Sequence, residues 1–179
     1  MIFLFTISLG KVTNNKIYQS TANTRVFAAD KIDEKTKKAK LIHITVDNFL
    51  QSFINQDNSL SNEEGYQKYR ESVAIYVSKD ILSGILPTQE ELEGMDTDYI
   101  VDSADKYIYD YESSKELTER KIYIDYETLD RKTVNATAYV TSLQNYSGME
   151  TELRFRYYFE LEEKKGKWIV TYLTYEQLS

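Results

Sequence analysis

The sequence contains no cysteine and has only one histidine, His43, among its 179 residues. Without cysteine the chain cannot form disulfides, a thiolate metal site or a cysteine nucleophile. A single histidine excludes the paired-histidine motifs of zinc enzymes. A glycine-rich phosphate loop and a G-x-S-x-G elbow are missing as well. We therefore expect no cofactor, no metal site and no familiar catalytic motif.

Long hydrophobic runs are also scarce, and none reaches the roughly 20 residues that a membrane-spanning helix needs. The best one opens the chain as MIFLFTISLG and is followed by the polar KVTNNKIYQS. No basic residue precedes Ile2, which argues against a secretory signal, although a core strand stays possible. We expect residues 1–10 to be a truncated transmembrane anchor within which Met1 is an internal methionine, and residues 11–29 to be a linker. The apolar anchor residues are Ile2, Phe3, Leu4, Phe5, Ile7 and Leu9.

The charge is unevenly distributed along the chain. The net charge is −7, from 22 basic and 29 acidic residues. The first 40 residues carry eight basic and three acidic side chains, so this segment is +5 and the remainder is −12. A basic segment between an apolar start and an acidic body is typical of a membrane-proximal stalk. An acidic body disfavours direct nucleic-acid binding, which needs a basic face.

Hydrophobic periodicity predicts helices in the first half of the chain. A helix over 30–55, with Asp30 as N-cap, has one apolar face. A second helix near 62–77 follows a capping box formed by Ser61 and Glu64. The segment SKDILSGIL predicts a third helix that Pro87 ends. The apolar face of the first helix consists of Ala39, Ile42, Val46, Phe49, Leu50 and Phe53.

The second half of the chain alternates with the period of strands. Five segments are predicted to be strands: KYIYDYE, RKIYIDYETLD, TVNATAYVTSLQNY, ELRFRYYFELEEK and KWIVTYLTYEQL. Turns are expected at DRK, NYSGME and KKGK, and ESSKELTER is expected to be a link. Helices followed by strands predict an α+β domain over 30–179, with three N-terminal helices packed on a curled, mainly antiparallel sheet of four to five strands.

This element order, ending in KKGKWIVTYLTYEQL, resembles the nuclear transport factor 2-like (cystatin-like cone) superfamily over roughly residues 38–179. With the apolar start and basic linker in front, the chain resembles the VirB-type, TraH/TcpC-like scaffold proteins of Gram-positive type IV secretion systems. The resemblance implies a non-enzymatic subunit of a conjugative DNA-transfer channel, encoded on a plasmid or transposon. One N-terminal helix would anchor it in the cell membrane, with the C-terminal domain on the extracytoplasmic side. It would form homo-oligomers and contact other channel subunits.

Two alternatives stay open at this stage. The chain could be an extracytoplasmic small-ligand-binding domain, or a cone-fold isomerase or dehydratase, for which Asp125 beside Tyr123 is the nearest acid/base candidate. A scaffold would use an exposed surface, and Arg154, Arg156 and Tyr158 alternate on one face of a predicted strand as a possible partner surface. Simple cross-strand pairing of these arginines with acids is the competing interpretation. Three further features are assigned no function. His43 lies at the flank of the apolar stripe of the first helix and is interpreted as a packing residue. The acids Asp96, Asp98, Asp102 and Asp105 are interpreted as a solvated loop, and the sequence does not decide which way the ladder of Tyr107, Tyr109 and Tyr111 faces.

Overall fold

Three helices precede four strands in the part of the chain that the computed structural model describes, namely residues 15–56, 63–88, 90–91, 113–146 and 148–179. Side chains of the first helix are described from residue 33 onward. This confirms an α+β fold with three helices and an antiparallel sheet, which has four strands in the described residues. The elements are α1 Asn15–Ile54, α2 Glu63–Ala74, α3 Lys79–Ile85, β1 Ser113–Ile124, β2 Thr133–Tyr146, β3 Met149–Lys164 and β4 Lys167–Leu178.

Helix α1 begins at Asn15, well before the predicted N-cap Asp30. The prediction was wrong at this end because residues 15–29 are rich in Asn, Thr and Ser and show no apolar period, so they give little helix signal. The predicted linker is therefore helical from Asn15. The predicted anchor, residues 1–10, lies outside the described residues. None of the described helices is long and apolar enough to span a bilayer.

The chain divides into two compact units, residues 1–36 and 37–179. The second unit holds the core, in which the predicted apolar face of α1 is confirmed. Phe49 is fully buried and meets the ring of Phe159 edge-to-face, with centroids 5.8 Å apart. Phe53, one turn later on α1, stacks on Phe49 at 5.2 Å. Burial of this stripe, rather than helix propensity, stabilises this part of α1.

Side-chain caps define the short elements that follow. Ser78 is the N-cap of α3, as the prediction of a helix in SKDILSGIL requires. Thr88 and Glu91 form a capping box that sequence analysis did not identify: Thr88 Oγ1 accepts from Glu91 N at 3.1 Å, and Glu91 Oε2 accepts from Thr88 N at 2.7 Å. Helix α2 ends at Ala74, before the predicted end near residue 77, and the next residue, Ile75, is 62% exposed. Ser61 lies outside the described residues.

The four strands form an antiparallel meander in chain order, β1-β2-β3-β4. Strand β1 begins at Ser113, so the link expected at ESSKELTER is part of a strand from that residue onward, whereas KYIYDYE lies outside the described residues. The strand predicted for RKIYIDYETLD stops at Ile124, because Asp125 Oδ1 accepts from Glu127 N at 3.0 Å and Thr128 N donates to Asp125 O at 3.1 Å. These bonds close a turn and end the strand. The turns predicted at DRK, NYSGME and KKGK are all confirmed.

Two bulges decide which side chains point inward. Thr118 is the extra residue between Leu117 and Glu119 on β1, and Thr171 is the extra residue on β4 opposite Glu160 and Leu161. A bulge curls a sheet and reverses the inward and outward alternation beyond it. The inner face, packed against the helices, holds the predicted inward residues of β2 and β3. These are Val134, Ala136, Ala138 and Val140 on β2, and Leu153, Phe155, Tyr157, Phe159 and Leu161 on β3.

Candidate contact surface on the outer face of the sheet

The strand register brings four tyrosines together on the outer face, the side of the sheet opposite the core. We call this surface the tyrosine face and define it by Tyr123, Tyr139, Tyr158, Tyr172 and Arg156. Its residues form three rows that run across the sheet from β1 to β4. The rows are Lys121, Tyr139, Arg156 and Glu176; then Tyr123, Thr137, Tyr158 and Thr174; then Asp125, Asn135, Glu160 and Tyr172. Directly opposed residues in such rows are close enough to interact.

Arg156 contacts its neighbours in the row of the tyrosine face that contains Lys121. Its guanidinium forms an ion pair with Glu176 on β4 and lies over the ring of Tyr158, 5.1 Å from the centroid. Hydrogen bonds to Tyr139 and to Glu176 raise the pKa of Arg156 above its already high ordinary value. The Arg156 Nε is buried without a hydrogen-bond partner among the described residues. The ion pair and the hydrogen bonds therefore hold Arg156 in place on the outer face.

The rings of the tyrosine face remain substantially accessible. Tyr123, Tyr139 and Tyr172 are 57%, 41% and 50% exposed. Tyr123 and Tyr139 pack edge-to-face with centroids 5.9 Å apart, which limits their rotation. The surface thus offers pre-positioned aromatic area to solvent.

Two adjoining depressions follow the tyrosine face, with volumes of about 370 and 650 Å³. They share Tyr123, Thr137 and Tyr158. The larger one extends toward Lys121 and Arg156, whereas the smaller one extends toward Asp125 and Glu160. The tyrosine face is therefore basic at one end and acidic at the other.

The structure places two of the three predicted partner residues on this surface. Arg156 and Tyr158 belong to the tyrosine face, and Arg156 also makes the cross-strand acid pair of the competing interpretation. Arg154 lies farther along β3 and pairs with Glu152 of its own strand at 2.7 Å. Sequence analysis did not include Tyr123, Tyr139 and Tyr172 in the candidate surface. The alternation of β2 could have suggested Tyr139, but the bulge at Thr171 concealed Tyr172.

The other candidate residues are dispersed. Asp125 and Tyr123 lie on the outer face, so the acid/base candidate does not face the core. His43 is exposed on α1 beside Asp47, whose pKa is lowered mainly by a hydrogen bond from Arg120. The acidic loop at 96–105 and the ladder at 107–111 lie outside the described residues. Where side chains are described, no group of three or more metal-ligating residues occurs.

The inner face has few polar groups in the described residues, and some of them are engaged in hydrogen bonds. Thr128 and Ser142 are the buried polar side chains of the described residues. Thr128 Oγ1 donates to Asp125 O at 2.8 Å and accepts from Asn135 N at 3.0 Å. Burial raises the pKa of the Tyr157 and Tyr69 hydroxyls, and the Tyr69 hydroxyl donates to Phe53 O. These contacts serve the core and its turns.

Comparison with known proteins gives a likeness in structure. No family model and no curated protein matches the chain. A solved structure described as "Ntf2-like, potential transfer protein TraM from Gram-positive conjugative plasmid pIP501" is 16% identical. The alignment covers 79% of this chain and 97% of that chain, with a TM-score of 0.43.

Proposed function

We propose that the chain is a non-enzymatic scaffold subunit of a conjugative type IV secretion channel and has a nuclear transport factor 2-like, cone-shaped domain. A helix containing Ile2–Leu9 tethers it to the cell membrane, and the domain lies on the extracytoplasmic side. It acts through contacts with other channel subunits and with further copies of itself. The link to conjugation is supported by the sequence resemblance, with its apolar start, basic stalk and order of elements.

The observation that carries a contact role is the tyrosine face. Soluble monomers seldom expose large contiguous aromatic surface without a use for it. Tyrosine and arginine are enriched at the energetic centres of protein interfaces, because they bury a large area and still form hydrogen bonds. The edge-to-face pair and the ion pair hold several of these side chains in place before a partner arrives. Such pre-organisation lowers the entropic cost of association.

The packing of the inner face supports a scaffold over a cone-fold enzyme. Enzymes of that kind need an acid/base pair inside a pocket. In the described residues, the inner face is lined by apolar and aromatic side chains around Phe49 and Phe159. Asp125, the candidate acid, lies at a turn on the outer face, where its Oδ1 accepts the Glu127 amide.

Deletion and complementation in the conjugative element that carries the gene test this proposal. We expect deletion to abolish transfer and the wild-type gene to restore it. A Tyr123→Thr/Tyr139→Thr variant should accumulate normally in the membrane fraction but fail to restore transfer. A matched Tyr146→Thr variant should restore transfer, because Tyr146 is equally accessible but lies at the far end of β2. Unimpaired transfer after deletion, or recovery of the native protein in the cytosol, would refute the proposal.

A further inference from the structure

Among the described residues, those that line the acidic end of the tyrosine face include aromatic rings and carboxylates but no cationic side chain. We infer that the smaller depression receives an arginine or lysine side chain from a basic segment of a protein partner. The inference deepens the proposed function, on which it rests, by giving the chemistry of the contacted subunit. The depression is lined by Tyr123, Ile124, Asp125, Asn135, Ala136, Thr137, Tyr158, Phe159, Glu160 and Tyr172.

The pairing of charges on the outer face indicates where a cation from a partner would bind. Three carboxylates near this surface already have basic partners. They are Glu152 with Arg154 at 2.7 Å, Glu162 with Lys132 at 3.4 Å, and Glu176 with Arg156. In the described part of the chain, the Glu160 carboxylate has no basic partner, and the Asp125 carboxylate makes only the turn hydrogen bond from the Glu127 amide. The site is therefore complementary to a positive charge supplied from outside.

The register brings the two carboxylates into one row. Asp125 N donates to Asn135 O at 2.9 Å, and Asn135 is directly opposite Glu160. Tyr172 is directly opposite Glu160 on the other side. The row therefore alternates carboxylate, amide, carboxylate and phenol. The two acids therefore lie on either side of the Asn135 position.

The rings supply the second attraction. A cation over a tyrosine ring is stabilised by the negative face of the π system. In this structure, Arg156 lies over Tyr158, a ring that the two depressions share, at 5.1 Å, and Lys38 lies over Trp168 at 4.9 Å. Tyr123, Tyr158 and Tyr172 border the acidic depression. Its volume of about 370 Å³ can hold the end of a long side chain.

The opposite end of the tyrosine face fixes the direction of the partner. Lys121 and Arg156 line the larger depression, and because Arg156 is already paired with Glu176, Lys121 supplies the positive charge that repels a second cation there. A partner segment would therefore place its basic side chain beside Asp125 and Glu160 and its neutral or acidic residues beside Lys121. This polarity distinguishes a docked segment from general attraction to a chain of net charge −7.

Peptide titration of the full-length protein tests the inference. The probe is a short peptide of alternating arginine and glycine, and its control contains citrulline, which keeps the shape of arginine but is neutral. Binding is followed by ¹⁹F NMR with fluorotyrosine incorporated throughout, and single Tyr→Phe variants assign the signals. We expect the arginine peptide to shift the signals of Tyr123, Tyr158 and Tyr172, and the citrulline peptide to leave them unchanged.

Charge-neutral variants make the result specific. Asp125→Asn/Glu160→Gln should weaken binding of the arginine peptide about tenfold at low salt, because two partly exposed ion pairs are lost. Glu150→Gln/Glu163→Gln removes the same charge from exposed positions outside both depressions and should leave the affinity unchanged. Tyr172→Thr should weaken binding without removing charge. Equal binding of the citrulline peptide, or equal losses in the two double variants, would overturn the inference.

The same variants separate this inference from the proposed function. If Tyr123→Thr/Tyr139→Thr abolishes transfer while Asp125→Asn/Glu160→Gln transfers normally, the scaffold role stands and the cation site fails. If the peptide binds as expected but no variant of the tyrosine face affects transfer, the cation site stands and the proposed role of this surface fails. Self-association of the purified protein that only Asp125→Asn/Glu160→Gln abolishes would assign the site to a second copy and overturn the separate partner.

Discussion

Replacing a residue on the inner face of the sheet should lower the stability of the fold, whereas replacing one on the outer face should weaken association with a partner. Phe159 on the inner face is 2% exposed, whereas Tyr172 on the outer face is 50% exposed. The two are close in the β3–β4 ladder, because Phe159 is opposite Leu173, the residue after Tyr172. We expect Phe159→Ala to destabilise the fold strongly, and Tyr172→Thr to leave it nearly intact.

The magnitude follows from the packing of each ring. Phe159 meets Phe49 edge-to-face at 5.8 Å and stacks on Tyr157 at 6.1 Å, so its removal leaves a cavity lined by two rings. Truncation of a buried phenylalanine to alanine costs about 3–5 kcal/mol. Replacement of an exposed residue outside caps and networks changes the free energy of unfolding by about 0.5 kcal/mol or less. Threonine also preserves the β propensity at position 172.

Urea unfolding followed by circular dichroism measures both effects. With a slope of about 2 kcal/mol per molar urea, a loss of about 4 kcal/mol moves the midpoint by about 2 M. Phe159→Ala should show this shift with an unchanged slope, and Tyr172→Thr should keep the wild-type midpoint. In the peptide titration the order reverses, because Tyr172→Thr removes an exposed ring of the depression, whereas Phe159 also lines the depression but is only 2% exposed.

The result that would refute this reasoning is a comparable midpoint shift for both variants. It would mean that Tyr172 is packed in the native protein, and that the outer face is covered rather than available. A shift below about 0.5 M for Phe159→Ala would likewise contradict the assignment of the inner face to the core.

Three further predictions concern individual contacts. The pKa of Asp47 is held below its ordinary 3.8, mainly by the hydrogen bond from Arg120. The ionised Asp47 therefore stabilises the folded protein above pH 3.8, and this contribution disappears as the pH falls through the lowered pKa. Asp47→Asn should therefore cost about 0.5–1 kcal/mol at pH 7 after solvent screening, and this cost should shrink as the pH is lowered below 3.8, as urea midpoints across that range will show. Thr88→Ala removes half of the capping box with Glu91 and should cost about 1 kcal/mol, measured by thermal unfolding against Thr88→Ser as the control. Gly166 has φ of 77° in the two-residue β3–β4 turn, and a Cβ added there would meet no neighbour. Gly166→Ala should therefore lower the free energy of unfolding by about 1–2 kcal/mol from backbone strain alone. Equal melting temperatures of the variant and the wild type would contradict this.

Patterns confined to one element were predicted well from the sequence. The apolar spacing on α1 indicated which residues are buried, because a helix with period 3.6 has one face against the core. The alternation of apolar residues on β2 and β3 indicated which side chains point toward the core, because successive residues of a strand face opposite sides of the sheet. Turn residues marked the ends of the hairpins, and Gly166 lies at one of them because its positive φ favours glycine.

Errors arose where the signal was weak or depended on a local side-chain bond. The start of α1 was misplaced because polar residues without periodicity carry little information on their structure. The turn after Ile124 was read as strand, since its apolar and aromatic residues continue the alternation. There the backbone follows hydrogen bonds of Asp125 and Thr128 that periodicity does not reveal.

The sequence by itself determined the class of fold, the buried stripe of α1 and the alternating faces of β2 and β3, because these follow from the period of a single segment. Only the tertiary structure decided which outward residues meet. The pairing register sets Arg156 beside Tyr139, and the bulge at Thr171 turns Tyr172 outward although it shares the parity of the buried Trp168 and Val170. A register and a bulge are properties of two paired strands, so the tyrosine face exists only once the sheet has formed.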